Sequence, residues 1–169
     1  ANSALGTFSL RDNVTGDNNT AVGKNALLEN EASNNTAVGK SALQANTTGT
    51  ENVAVGVGAL DANTTGQKNV AIGYQALTNS TTATYNVAVG IHALEENTTG
   101  GNNTAVGSFA LEKATTGSNN TAVGYTALNA NTTGHSNVAL GTSAMLLNTT
   151  GNNNTAGGFF CNGKNYYRY

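Results

Sequence analysis

The sequence predicts an all-β protein, a parallel β-solenoid built from ten 17-residue coils. A motif N-x-A-V-G, with small variations, recurs ten times at an almost constant spacing. Each copy contains a short segment in which β-branched residues alternate with small ones, and most copies end in N-T-T-G or a close variant. The composition also fits a repeat, because only 9% of the residues are charged and Pro and Trp are absent.

The repeat is defined by the last residue of the motif, here called the motif glycine. Successive motif glycines follow a 17-residue spacing, except for the 16-residue spacing between Gly23 and Gly39. The residue four positions before the motif glycine is always Asn, and the residue two positions before it is always Ala. Coils stacked about 4.8 Å apart would make a rod roughly 50 Å long. The motif glycines are Gly6, Gly23, Gly39, Gly56, Gly73, Gly90, Gly107, Gly124, Gly141 and Gly158.

The segment T-A-V-G or V-A-V-G predicts the first strand of each coil, and x-A-L predicts a second short strand. Alternation with a period of two places Val on one face of the first strand and Ala and Gly on the other. We expect Val and the Leu of x-A-L to fill the coil, and Ala and Gly to leave a smooth outer surface where another backbone can approach. The expected interior residues are Val22, Val38, Val55, Ile72, Val89, Val106, Val123, Leu27, Leu43, Leu60, Leu77, Leu94, Leu111, Leu128 and Met145.

N-T-T-G predicts a turn, with Gly at a position that needs a positive φ. The charged residues five or six positions after the motif glycine predict an edge that faces water. The Asn of the motif predicts a ladder in which each side-chain amide bonds to the one in the next coil. This Asn ladder consists of Asn19, Asn35, Asn52, Asn69, Asn86, Asn103, Asn120 and Asn137.

The predicted interior is thin, with about one Val, one Leu and two or three Ala per coil. At about 25 cal/mol per Å² of buried apolar surface, such a core hardly offsets an ordering entropy of about 1 to 2 kcal/mol per residue. We therefore expect the chain to associate with itself, as three parallel copies.

The strings N-T-A-V-G-x-x-A and N-V-A-I-G-Y-Q-A (Asn69 to Ala76) resemble the head repeats of trimeric autotransporter adhesins, which read S-V-A-I-G-x-x-A. The same strings, with A-L-x-x-N-T-T-G-x-N, are similar to repeats of phage tail-fibre-like surface proteins. The resemblance covers the chain to about Ala156. It implies a left-handed parallel β-roll, a homotrimer, and an adhesive role in an extracellular, cell-surface or virion fibre. The adhesin repeats are commonly a few residues shorter, so the turn here is longer, and the resemblance does not extend to their anchor and stalk.

Aromatic residues in the pair directly after the motif glycine are the candidate ligand contacts: Phe8, Tyr74, Phe109 and Tyr125. Exposed on a rod, they could stack on the sugar rings of a cell-surface glycan or contact a protein receptor. Packing between the chains of a trimer is the alternative interpretation. Three chains would present each contact three times, so that weak contacts could add up.

A second regular surface suggests an alternative function. The first Thr of each turn forms a possible Thr ladder of the kind found in ice-binding solenoids, although these residues precede Gly in a turn rather than lying on a flat strand face. The residues of the Thr ladder are Thr47, Thr64, Thr81, Thr98, Thr115, Thr132 and Thr149.

Other functional classes are not indicated. His92, His135 and Cys161 occupy different positions of the repeat, so we expect surface histidines, no catalytic or metal site and no cofactor. A net charge of -2 without a basic stripe argues against a nucleic-acid partner, and no apolar run is long enough to insert into a membrane. The N-x-T sequons at Asn46, Asn63, Asn97, Asn131 and Asn148 are interpreted as products of the turn sequence rather than as glycosylation sites.

The last residues break the pattern, which divides the chain into a repeat domain, residues 1–157, and a divergent end, residues 158–169. The end contains the single cysteine and three of the six tyrosines. It could cap the last coil or form a receptor-binding tip. Alternatively it could be read out of frame, because with suitable codons the loss of one nucleotide after Ala156 restores A-V-G and a T-T-G turn.

Overall fold

The computed structural model describes residues 1–159 and shows an all-β solenoid with ten short parallel strands. The strands form one sheet in chain order, so each coil pairs only with the coils before and after it. This confirms the predicted solenoid architecture and its first strand. The strands are β1 (Ser3–Leu5), β2 (Thr20–Val22), β3 (Thr36–Val38), β4 (Val53–Val55), β5 (Val70–Ile72), β6 (Val87–Val89), β7 (Thr104–Val106), β8 (Thr121–Val123), β9 (Val138–Leu140) and β10 (Thr155–Gly157).

The strands pair in register, so equivalent residues of successive coils lie directly beside one another. Ala21 pairs with Ala37 across the one shorter repeat, just as Ala54 pairs with Ala71 across a repeat of the usual length. The missing residue is accommodated in the turn, where the side-chain amide of Asn30 donates to the carbonyl two residues on. In other turns the corresponding Asn donates to a carbonyl three residues on. The shorter repeat therefore leaves the strand register unchanged.

The two faces of the strand are the reverse of the sequence prediction. From β2 to β9 the middle Ala is buried, whereas the Val, Ile or Leu after it is partly exposed. The interior holds this Ala, a second Ala and the Leu of x-A-L, for example Ala71, Ala76 and Leu77. Because the Leu fills the coil, only a methyl group fits opposite it, and the larger Val is turned outward. The prediction of buried Leu is confirmed, that of buried Val is wrong, and the Ala face is not an outer surface.

The x-A-L segment is not a second strand. Its residues alternate in backbone conformation, as in the second coil, where Asn25 and Leu27 have φ of 60° and 50°. Their N–H groups point to opposite neighbours, since Asn25 donates to Thr7 at 2.9 Å and Leu27 to Ala42 at 3.0 Å. Each coil thus satisfies its backbone with both neighbours without forming a regular strand.

Two sets of glycines are required for different reasons. The motif glycines have φ between 122° and 141°, and a Cβ on Gly73 would lie 2.6 Å from the carbonyl carbon of Gly90 in the next coil. The turn glycines do not have a positive φ, contrary to the sequence prediction. Space favours Gly there instead, since a Cβ on Gly117 would lie 2.6 Å from the carbonyl oxygen of Gly134, although Ala83 occupies the same position in one coil.

The Asn ladder runs along the solenoid as predicted. The backbone N–H and side-chain amide of Asn69 donate to Oδ1 of Asn52, at 3.0 and 3.1 Å. The same amide also donates to the carbonyl oxygen of Ala83 at 2.8 Å, and Oδ1 of Asn69 accepts the same pair of bonds from Asn86. These side chains are buried, so their polar groups are satisfied entirely within the protein.

A second Asn ladder, here called the turn ladder, was not predicted from the sequence. Its members are the first residues of the turns, so Asn63 donates to Oδ1 of Asn46 at 2.8 Å and Asn46 to Oδ1 of Asn30 at 2.6 Å. Ser80 and Ala114 interrupt the turn ladder, and Oδ1 of Asn63, Oγ of Ser80 and Oδ1 of Asn97 lack a hydrogen-bond partner. The burial of the ladder agrees with the structural interpretation of the sequons, four of which are completely buried: Asn46, Asn63, Asn97 and Asn131.

Replacing Ala114 with Asn should therefore stabilise the fold by about 1 kcal/mol or more, because it gives Asn97 Oδ1 a donor and Asn131 an acceptor. Urea unfolding would measure the change.

Ser80→Asn should not help alone, because a Cβ three residues after such an Asn would contact its Oδ1. At Gly49 an added Cβ would lie 2.5 Å from Oδ1 of Asn46, and the residue that corresponds to Gly49 after Ser80 is Ala83. Ser80→Asn combined with Ala83→Gly should be stabilising. Equal effects with and without the glycine would contradict this explanation.

The divergent end is mostly outside the described residues. Gly158 still has the φ of a motif glycine, 122°, and its N–H donates to Leu140 at 2.8 Å, so the tenth coil begins normally. The interpretations offered for the end, as a cap, a tip or an out-of-frame segment, concern residues 160–169 and lie outside the described part of the chain.

Candidate functional site

The first candidate surface is the strand face, which we define as the outward side chains of the first and third residues of β1–β10. The first position carries Ser, Thr or Val, and the third carries Val, Ile or Leu, except in β10, where it is Gly157. None of these residues is charged. Because the strands are in register, the strand face forms a straight stripe roughly 45 Å long. The larger third-position residues are Leu5, Val22, Val38, Val55, Ile72, Val89, Val106, Val123 and Leu140.

The second candidate surface is a line of four rings from successive coils, which we call the aromatic column: Tyr74, His92, Phe109 and Tyr125. The ring centroids of Tyr74 and His92 are 5.3 Å apart, those of His92 and Phe109 also 5.3 Å, and those of Phe109 and Tyr125 5.9 Å. The two central rings are nearly parallel, and each tyrosine is roughly perpendicular to its neighbour. Tyr74 and Tyr125 are about half exposed, at 49% and 55%.

The backbone places these rings beyond the strand face. The chain bends at each motif glycine, and the rings belong to the two residues after that bend. Tyr74 and Tyr125 are the first residue after it, whereas His92 and Phe109 are the second and have φ of 55° and 61°. Register between coils then brings the four rings into contact.

The structure brings together three of the four predicted aromatic contacts. Phe8 is separate, in the first coil, where the guanidinium of Arg11 lies 5.5 Å from its ring centroid. His92 was expected to be a surface histidine, and the structure places its ring between those of Tyr74 and Phe109, a contact that was not predicted. The signal that could have found it is the repeat itself, because His92 occupies the same position as Phe109 one coil earlier.

Carboxylates and an amide border the column. Nδ1 of His92 lies 2.7 Å from Oε2 of Glu95, and Asn129 donates to Oε2 of Glu112 at 2.6 Å and to the carbonyl oxygen of Phe109 at 3.0 Å. Glu95 and Glu112 both lie five residues after a motif glycine, as does Asp61, where burial raises the pKa of the carboxyl. These three carboxylates are half-buried, whereas the charged residues at the next position, Asp12, Glu29, Glu96 and Lys113, are exposed, so the edge faces water as predicted.

The Thr ladder is part of the backbone network. The hydroxyl of Thr47 donates to the carbonyl oxygen of Thr64 at 2.9 Å, and that of Thr98 to the carbonyl oxygen of Thr115 at 3.0 Å. Equivalent bonds extend to the pair Thr132 and Thr149, and the side chains from Thr47 to Thr132 are only partly exposed. Their hydroxyl hydrogens therefore face the next coil instead of solvent.

Within residues 1–159, no group of three or more His, Cys, Asp or Glu side chains is arranged to hold a metal ion. His135 is remote from His92 in the repeat, and its Nδ1 accepts a bond from the N–H of Ser118 at 3.0 Å. Cys161 lies outside the described residues. The part of the chain that the structure describes also contains no helix long and apolar enough to cross a membrane.

Comparison with known proteins gives no further assignment: no protein-family model matches the chain, and no curated protein or solved structure is significantly similar to it. The strand face and the aromatic column are therefore the features from which a function can be inferred.

Proposed function

We propose that the chain is a structural and adhesive segment of an extracellular or virion fibre, a rigid rod of three parallel chains that pack through their strand faces. The observation that carries this proposal is the strand face itself. It is uncharged, in register and continuous over the whole described solenoid, and it exposes the larger apolar side chains while the smaller Ala side chains are buried.

Association would remove the apolar third-position side chains of the strand face from water. Ile72, Val106, Val123 and Leu140 are between 36% and 49% exposed, and burial of such surface contributes about 25 cal/mol per Å². Long contiguous apolar patches on soluble proteins usually mark contact surfaces. Identical faces repeated by cyclic symmetry make the same contact in every chain, and the number three is the one that the resemblance to trimeric adhesin repeats implies.

Rigidity supports the role in a fibre. The backbone bonds between coils, the Asn ladder and the turn ladder all run along the rod, so bending it would strain many buried hydrogen bonds together. A stack of coils of this kind gives mechanical reach and repeats its surface features along one direction. A three-chain rod would also present each of those features three times.

Placing one charge on the strand face should separate the chains. Ile72 is 40% exposed in the single chain, so Ile72→Lys should fold normally but bury an unpaired charge on association. We expect light scattering coupled to size exclusion to show a shift from trimer to monomer, with an unchanged circular dichroism spectrum. Thr65→Lys, on the exposed turn of the preceding coil, is the matched control and should remain trimeric.

The alternative, ice binding through the Thr ladder, is weaker because its hydroxyls donate to backbone carbonyls. We expect the purified protein to show no thermal hysteresis. Hysteresis that is lost in Thr98→Val would favour ice binding over the adhesive fibre.

A further inference from the structure

We infer that the aromatic column is a binding site for a neutral glycan whose chain runs along the rod axis. This inference rests on the proposed adhesive function and gives it a ligand class. The column is linear, since its rings come from four successive coils and extend about 15 Å along the rod. Its shape therefore fits an extended chain of several sugar units.

The column remains accessible when the strand faces associate. The chain bends at the motif glycine between the strand and the rings, so the column lies on a different side of the coil. Tyr74 and Tyr125 leave about half of their surface open, and Ile91, 47% exposed, lies between them at the same position of the repeat. The result is an open platform with an exposed aromatic ring at each end.

The chemistry of this platform matches a sugar chain. The C–H faces of sugar rings are apolar and pack against aromatic rings, while their hydroxyls need hydrogen-bond partners at the edge. The tyrosine hydroxyls, the carboxylate of Glu95 and the carboxylate of Glu112 provide donors and acceptors beside the rings. An aromatic surface without this polar border would instead be suited to purely apolar contacts.

The distribution of charges around the aromatic column favours a neutral ligand over an acidic one. From Val57 to Thr142 the position directly after the motif glycine carries no charge, and the carboxylates of Glu95 and Glu112 lie along one side of the rings. An acidic glycan would be repelled by these carboxylates. A protein partner, or packing of the rings between chains, is a different outcome that the following test separates.

The test is isothermal titration calorimetry of the intact protein with tetrasaccharides of three kinds: neutral gluco-, manno- and N-acetylglucosamine oligomers, acidic galacturonate oligomers, and cationic glucosamine oligomers. We expect binding of at least one neutral tetrasaccharide. Tyr74→Ala and Tyr125→Ala should each weaken it about tenfold or more, since each removes one stacking ring. Tyr85→Ala removes an exposed ring outside the column and should leave binding unchanged.

Three results would overturn the inference: absence of binding to any neutral oligomer, preference for the acidic or cationic oligomers, or binding that is unaffected in both column variants. If Tyr74→Ala instead dissociates the assembly, the rings are interchain contacts and the inference is wrong. The proposed fibre is judged separately by the molecular mass. If the protein is a trimer but binds no glycan, only the glycan-binding inference is rejected. If it is a monomer that binds a neutral glycan, only the proposed trimer is rejected.

Discussion

Gly73→Ala is expected to prevent the chain from folding, or to cost more than about 4 kcal/mol in the free energy of unfolding. Gly73 has a φ of 139°, which L-residues rarely adopt, and an added Cβ would lie 2.6 Å from the carbonyl carbon of Gly90. A local shift of the backbone cannot relieve this contact, because the obstructing atoms belong to the backbone of the next coil. That coil is held in place by its own neighbours. Circular dichroism with urea unfolding would measure the loss.

The matched control is Gly58→Ala. Gly58 also has a positive φ, 69°, but the nearest atom to an added Cβ is the flexible Cγ of Gln75 at 3.5 Å. Other coils have ordinary residues at this position, including His92 and Phe109. We expect a change below about 1 kcal/mol for Gly58→Ala. A similar loss in both variants would contradict the explanation that the motif glycine is required by its φ of 139° together with the close stacking of coils.

The second large effect is expected at the Asn ladder, where Asn69→Ala should destabilise the fold by about 3 to 5 kcal/mol. The substitution leaves the carbonyl of Ala83, the amide groups of Asn86 and Oδ1 of Asn52 with fewer partners in a buried region. Denaturant unfolding monitored by circular dichroism would give the value.

Asn79→Ala provides the comparison, because Asn79 is exposed on the same coil and its removal should change stability by no more than about 0.5 kcal/mol. If Asn69→Ala lost less than about 1 kcal/mol, water would be replacing the ladder, and the ladder would not hold successive coils together.

The periodic features were the part of the fold that could be predicted. The spacing of the motif glycines gives the number of coils. Because identical coils stack in register, an Asn that recurs in every copy must form a ladder along the solenoid. The orientation of the strand was predicted wrongly because hydrophobicity ranks Val above Ala. The interior position is the one that allows no variation in size, which is Ala in all ten copies, whereas the outward position varies among Val, Ile, Leu and Gly.

The candidate site was predictable only in part. Phe109 was identified as a candidate contact, but its stacking on His92 depends on the unusual positive φ that both residues adopt. The turn ladder was missed since an N-T-T-G turn is ordinarily solvated. Asn63 is buried because its coil stacks on the neighbouring coils. Local sequence patterns predict the structure of a single coil, whereas contacts between coils can be predicted only when the register of successive coils is known.

The most direct test of the central claim, that the strand face packs against copies of itself, is sedimentation equilibrium of the unmodified protein. The account predicts a single species with three times the chain mass of 17.0 kDa over a wide range of concentrations. A stable, folded species of 17.0 kDa throughout that range would contradict it.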